Sequence, residues 1–183
     1  MKISIIIVTY NSLNLIINCI SSIFKYNDVS DNEVEVVVVD NSDMAVGNET
    51  SRLIKDEFGD RVKFIKSDKN GGYGNGNNLG IKNSTGDIIC IMNPDVLLCE
   101  PVLSHARSMF CKNKNLGMLG YKQLGGYSLS FYIKPEYQWL LLSSFFVKIY
   151  NKINYFNSKF MYLSGAFFFT DKKKTVEIGC FDE

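Results

Sequence analysis

The chain has 183 residues, 46% of them hydrophobic and 13% aromatic, with 20 Lys and Arg against 19 Asp and Glu for a formal net charge of +1. That length holds one domain, or one domain with an appendage, and the apolar content is enough to bury a single core. Disorder over most of the chain is therefore excluded, and so is the large basic excess of a general nucleic-acid binder.

Ile3 to Val8 is a β-branched run, broken only by Ser4, and closed by Thr9-Tyr10-Asn11-Ser12. Uninterrupted apolar strands are what a sheet covered on both faces requires. Leu13, Ile16, Ile17, Ile20, Ile23 and Phe24 recur at helical spacing, which predicts a helix capped by Asn11 or Ser12. Val34 to Val39 is a second buried strand, ended by Asp40-Asn41-Ser42. A polar, loosely helical stretch through Leu53, Ile54 and Phe58 leads to a third strand, Val62 to Ile65.

Asn70 to Ile81 is rich in Gly and Asn and reads as a loop feeding a helix. Ile88 to Met92 is a fourth buried strand, stopped by Asn93-Pro94-Asp95, and Pro101 suits the first residue of another helix using Leu103, Ala106, Met109 and Phe110. From about Gly125 the pattern changes. Tyr127 to Tyr162 is aromatic with Lys and Asn interleaved, and reads as a loop and a short helix. Tyr162 to Thr170 reads as a strand containing Ser164-Gly165, and Asp171 to Ile178 as a short helix ended by Gly179. The alternation of strand and helix predicts an α/β fold, a doubly wound, mostly parallel sheet with helices on both faces. The whole chain, 1–183, is read as a single domain with residues 1–124 as one half and 125–183 as the other.

Five scattered cysteines, no Cys-x-x-Cys pair and a lone histidine, His105, speak against structural zinc. Apolar neighbours around Cys19 and Cys90 point to reduced thiols and a cytoplasmic location. The run from Trp139 to Val147 is too short to span a bilayer, which takes about 20 residues. Packing against the core and contact with lipid both fit it. Lys172-Lys173-Lys174 reads as a solvated helix face, and His105 as structural.

In doubly wound sheets, ligands bind beyond the carboxyl ends of the strands. The polar clusters at Thr9, Asp40 and Asp95 all fall there. Asn93-Pro94-Asp95 is good turn chemistry, and its amide and carboxylate equally suit Mg2+ or Mn2+ bound to a diphosphate, since these ions take few protein carboxylates and prefer oxygen. Asp40 reads either as a turn residue or as an acceptor for a ribose or a base N–H. Gly71-Gly72-Tyr73-Gly74-Asn75-Gly76 exposes backbone N–H groups before a helix. It does not follow the first strand and lacks the Walker lysine, so neither dinucleotide nor P-loop chemistry fits. Thr9 to Leu15 holds no Gly, Lys or Arg, which argues against a nucleotidyltransferase.

Five segments in order carry a resemblance: Val8-Thr9-Tyr10-Asn11, Val39-Asp40-Asn41-Ser42, Asn70-Gly71-Gly72 through Asn78-Leu79-Gly80-Ile81, Asn93-Pro94-Asp95-Val96, and Ser164-Gly165-Ala166 leading to Gly179-Cys180-Phe181-Asp182-Glu183. The chain resembles family 2 inverting glycosyltransferases of the GT-A fold, in the branch that includes bacterial rhamnosyltransferases. The resemblance implies a nucleotide-sugar donor, dTDP- or UDP-linked, and a cell-surface polysaccharide or lipid-linked glycan as acceptor. Residues 1–124 would then be the nucleotide-sugar half and 125–183 an incomplete acceptor-side part.

By that resemblance Thr9, Tyr10 and Asn11 border the nucleotide and Asp40 contacts the base or ribose. The segment with Asn70, Gly72 and Asn78 closes over the nucleotide. Asn93 and Asp95 stand for an Asp-x-Asp motif, with Asp95 as the metal ligand, and Gly165 lines the donor-sugar and acceptor side. In relatives the Phe-Asp-Glu segment precedes a Glu-Asp motif whose aspartate is the base, so the base is expected beyond Glu183 and the chain reads as truncated. The alternative is an inactive or fragmentary nucleotide-sugar-binding domain. A peripheral contact with the inner face of the plasma membrane, through Tyr137 to Tyr150, completes the expectations.

Overall fold

The computed structural model describes residues 1–124, 129–137 and 143–182. In chain order the elements are β1 (Ile3–Thr9), α1 (Leu13–Lys25), β2 (Val34–Asp40), α2 (Met44–Phe58), β3 (Val62–Lys66), α3 (Gly72–Lys82), β4 (Ile88–Met92) and α4 (Leu103–Lys112). There follow β5 (Met118–Gly120), β6 (Phe131–Ile133), α5 (Ser143–Ile153), β7 (Met161–Leu163), β8 (Phe167–Asp171) and α6 (Lys172–Glu177). The chain forms two compact units, Met1–Leu119 with Phe169–Glu183, and Gly120–Phe168.

The first unit is built on a six-stranded sheet of order β3-β2-β1-β4-β8-β5. β1 pairs in parallel with β2, from Ile3 opposite Val34 to Thr9 opposite Asp40, and with β4, from Ile3 opposite Ile88 to Ile6 opposite Ile91. β2 pairs in parallel with β3. Ile5, Ile6, Ile7, the run Val36 to Val39, and Ile88 to Met92 are all buried, as strands covered on both faces must be. Winding reverses between β1 and β4, which makes the carboxyl ends of these strands the topological switch point where a crevice opens.

Helix α1 buries Ile16, Cys19, Ile20 and Ile23. Ser12 stands at its N-cap, but the hydroxyl donates to the Tyr10 carbonyl (2.9 Å) instead of accepting a helix N–H. Asp43 caps α2 by accepting from the Ala45 and Val46 amides. Helix α3 starts at Gly72, so of the segment Asn70 to Ile81, expected as a loop feeding a helix, only the first two residues precede the helix. Close packing explains the glycines: a Cβ on Gly80 would stand 2.4 Å from Ile6 Cγ2, and one on Gly76 2.7 Å from Val8 Cγ1.

Helix α4 starts at Leu103, after Pro101, because Asp28 holds its first turn by accepting from both the amide and the hydroxyl of Ser104. The strand expected over Tyr162 to Thr170 divides into β7 and β8 around Ser164 to Ala166. Asp171 caps α6, and Gly179 (φ +94°) ends the segment, followed by Cys180, also left-handed at φ +63°. Lys172 and Lys174 are tied to loops, donating to the carbonyls of Ser84 and of Lys114 and Leu116, and only Lys173 keeps the solvated role expected of all three.

At the amino edge of the sheet, Glu35 Oε1 accepts from Ser4 Oγ (2.5 Å) and the Thr85 amide (2.5 Å), with Lys2 Nζ 3.5 Å from Oε2. Burial pushes this carboxyl up, but the hydrogen bonds from Ser4 and Thr85 and the charge of Lys2 leave it below its usual range.

In the second unit, β6 and β7 form an antiparallel pair with Tyr132 opposite Tyr162. Asn151 on α5 fastens the helix to β6 by accepting from Ser130 N (2.7 Å) and donating to the Phe131 carbonyl (2.9 Å). Trp139 to Leu142, four of the nine residues of the run weighed between core and lipid, lie outside the described residues, as does Glu183. Among the described residues no helix is long and apolar enough to cross a membrane.

Candidate functional site

Thr9 and Asp40 are opposite one another at the last register position of β1 and β2, and Asn93 follows the last residue of β4. The chain stays tied beyond the strand ends: Asn41 N donates to the Thr9 carbonyl and Ser67 N to the Asp40 carbonyl, both at 2.9 Å. Asn11, with φ +51°, donates its amide to Ser42 Oγ (2.8 Å), whose hydroxyl in turn donates to Asp40 Oδ1 (2.5 Å). One serine thus links the loops after β1 and β2.

Asp40 is fully buried. Lys66 Nζ stands 3.7 Å from Oδ2 and donates to the carbonyls of Asp40 and Ser42. A side chain at Gly47 would meet both groups, its Cβ 2.6 Å from Asp40 Oδ2 and 2.5 Å from Lys66 Cε. Direct base or ribose contact was expected of Asp40. Here its carboxylate is enclosed, and it braces the loop that carries Asn41 and Ser42.

Asn41 Nδ2 donates to the Gly72 carbonyl (3.1 Å), which fixes the start of α3 to the end of β2. Asn70 Oδ1 accepts from Gly72 N (3.0 Å), closing the turn that Gly72 enters at φ +83°. Asn78 holds Phe181 with both ends of its amide: Nδ2 donates to the Phe181 carbonyl (2.9 Å) and Oδ1 accepts from Phe181 N (3.0 Å). The amide thus clamps the chain's last turn. Tyr10 is exposed, and Gly165 lies in the second unit, in the bend between β7 and β8.

Asn93 to Val96 is a turn, closed by Val96 N donating to the Asn93 carbonyl (3.1 Å), with Pro94 at its favoured second position. Asp95, the third residue of this turn, is exposed. Burial, and after it the charge of Asp95, pushes the nearby Cys19 thiol up to about 12.

Native proteins leave few buried polar groups without partners. Among the described residues the buried side-chain atoms lacking a hydrogen bond are Thr9 Oγ1, Asp40 Oδ2, Asn41 Oδ1, Asn77 Oδ1, Asn93 Oδ1 and Gln123 Nε2. Four of these belong to residues that end β1, β2 and β4 or directly follow them, and Asn77 lies on α3, which packs against β1 and β2. Asp40 Oδ2 is faced by Lys66 Nζ at 3.7 Å, and the other four are hydroxyl or amide oxygens that can accept, so the edge suits a ligand rich in N–H and O–H groups, or a cation. No group of three or more His, Cys, Asp or Glu side chains converges among the described residues. The Asn93 amide oxygen and the Asp95 carboxylate still fit a hard divalent ion whose remaining ligands are phosphate oxygens and waters.

The sequence pattern did not single out Lys66, Gly47 or Asn77. A lysine at the end of the third strand was a visible signal; nothing marked the other two.

The glycosyl transferase family 2 model matches residues 4–176. The chain belongs to glycosyl transferase family 2. No curated protein matches it in sequence. Among solved structures it is similar to the mannosyltransferase PcManGT from Pyrobaculum calidifontis in complex with GDP-Man and Mn2+, with 17% identity and a TM-score of 0.71 over 99% of this chain and 47% of that one. It is similar also to S. aureus TarS 1-349, with 20% identity and a TM-score of 0.64 over 100% of this chain and 50% of that one. The UDP-GlcNAc complex of TarS 1-349 gives 21% identity and a TM-score of 0.65. At these identities the likeness shows the fold, which is the GT-A fold of glycosyltransferases. This family 2 chain spans about half the length of those structures.

Proposed function

We propose that this family 2 chain carries the donor site of an inverting glycosyltransferase that moves a sugar from a dTDP- or UDP-linked donor to a cell-surface or lipid-linked glycan. The observation that carries the reading is the set of partnerless buried oxygens gathered at the carboxyl edge of β1, β2 and β4. Solved structures of the same fold hold GDP-Man with Mn2+ and UDP-GlcNAc, which supports a nucleotide-sugar ligand.

In this reading the nucleoside lies along the edge of β1 and β2. Thr9, Tyr10 and Asn11 border it on one side and Asn41, braced by Asp40 and Ser42, on the other. Asn70 and Gly72 hold the turn that leads into α3. Asn93 and Asp95 hold the divalent ion, Mg2+ or Mn2+, which would neutralise charge on the diphosphate leaving group. The residue that takes the acceptor proton is assigned to none of the described side chains. Rhamnose is the first donor sugar to test. Buried, reduced Cys19 and Cys90 favour a cytoplasmic setting.

The test is calorimetric titration of the folded chain with UDP and dTDP, with and without Mn2+, beside Asp95→Ala. Metal-dependent binding that Asp95→Ala loses is the expected result. A chain that is folded by circular dichroism and binds neither nucleotide overturns the reading.

A further inference from the structure

Charge and aromatic content are distributed unevenly between the two units. Gly120–Phe168 carries five lysines, Lys122, Lys134, Lys148, Lys152 and Lys159, against a single acidic residue, Glu136, and holds fifteen of the chain's aromatic side chains. The rest of the chain is the reverse, with acids in excess over bases.

Helix α5 shows how this composition is arranged. Asn151 turns one face of the helix onto β6. On another face Phe145, Ile149 and Ile153 follow one another at four-residue spacing, 57%, 37% and 64% exposed. Phe146 stands beside them, and its ring continues through Tyr150 to Tyr155 with centroids 6.0 and 5.4 Å apart. Lys148 and Lys152, both exposed, flank the apolar stripe. A water-facing helix of a globular domain would place its polar residues here.

We infer that α5 is a docking surface for an anionic lipid bilayer. At 11 residues the helix is roughly 16 Å long, about half the hydrocarbon thickness, so it lies in the interface and does not cross. The Phe145, Ile149 and Ile153 stripe enters the acyl boundary, and Lys148 and Lys152 reach the phosphate layer from its margin. The lysines select this occupant: a second copy of the same face would bring like charges together, whereas an anionic surface complements them. The inference stands apart from the nucleotide site and concerns only where the chain sits.

The test is co-sedimentation of the full chain with vesicles of phosphatidylcholine alone and of phosphatidylcholine with phosphatidylglycerol. Two variants accompany it, Phe145→Ser/Ile149→Ser/Ile153→Ser and Lys148→Glu/Lys152→Glu, each checked by circular dichroism and sedimentation equilibrium. The expected result is binding to the anionic vesicles that salt weakens and that either variant lowers by roughly tenfold or more. Failure of the folded chain to pellet overturns the inference. So does binding indifferent to lipid charge or to both variants, and so does a self-association that the serine variant abolishes while lipid binding is absent.

Discussion

Asn78 holds Phe181 by both halves of its amide, donating to the carbonyl and accepting from the N–H of a residue 103 positions away. The clamp brings the turn through Gly179 and Cys180 against the start of α3, where the Phe181 ring meets Tyr73 edge-on at 6.1 Å. Asn78→Ala loses both bonds and leaves a half-buried amide and carbonyl to water. Loss of about 1–2 kcal/mol is expected, read as a lower urea midpoint at unchanged slope. Limited proteolysis after Val176 should quicken in parallel. Unchanged proteolysis there would mean that the turn is held by something else.

Gly80 faces the sheet with a would-be Cβ 2.4 Å from Ile6 Cγ2. Alanine in a helix is worth about 1 kcal/mol over glycine, and overpacking a core costs about 1–3 kcal/mol. Because Ile6 is fully buried in β1 and has nowhere to move, overpacking prevails and Gly80→Ala lowers the melting temperature. A rise would show that α3 can slide away from β1.

These glycines also show what the sequence conceals. β1, β2 and β4 were legible because strands buried on both faces are dominated by apolar residues, with Ser4 and Glu35 the exceptions near the amino ends, and Asp40 and Asn93 were legible as the polar residues that close β2 and follow β4. The start of α3 was not legible, because glycine's poor helix propensity argues for a loop while the close approach to Val8 and Ile6 demands glycine in a helix. β6 and β7, at three residues each, are too short to show a period. Asn77 and Asn78 are neighbours of identical type. One is buried with a free oxygen and the other clamps Phe181, a difference set by helix phase against partners distant in sequence.

Glu35 makes stability depend on acidity. Its folded carboxyl lies below the ordinary range, so it binds a proton less readily than in the unfolded chain. That contribution is present above the unfolded value of about 4.3 and is lost as pH falls through the folded one. Glu35→Gln should therefore cost about 1–3 kcal/mol at neutral pH, the scale of hydrogen bonds to a charged group. The gap between variant and parent should close in acid. A gap constant across denaturation curves from about pH 7 to about pH 3 would assign the effect to packing alone.

The cysteines divide by burial. Cys19 and Cys90 are buried with thiols pushed up, and Cys99 and Cys111 are exposed. Only a thiolate attacks a disulfide reagent. In the folded chain Ellman's reagent should titrate Cys99 and Cys111 quickly, with Cys180 slower, while Cys19 and Cys90 react only after urea is added. Fast reaction of all five would show that α1 does not seal β4.

Thr9 separates stability from function. Its hydroxyl is buried without a partner at the end of β1, where a partnerless polar group costs about 1–3 kcal/mol. Valine has nearly the same shape and no hydroxyl. If the hydroxyl waits for a ligand, Thr9→Val is more stable than the parent by about 1 kcal/mol when empty, and binds nucleotide roughly tenfold more weakly, since about 1.4 kcal/mol of lost hydrogen bonding is tenfold in affinity. If instead an ordered water already satisfies the hydroxyl, the variant loses stability and keeps its affinity. Denaturation and calorimetric titration of the same two proteins separate the outcomes, because the proposed site requires the two free energies to change in opposite directions.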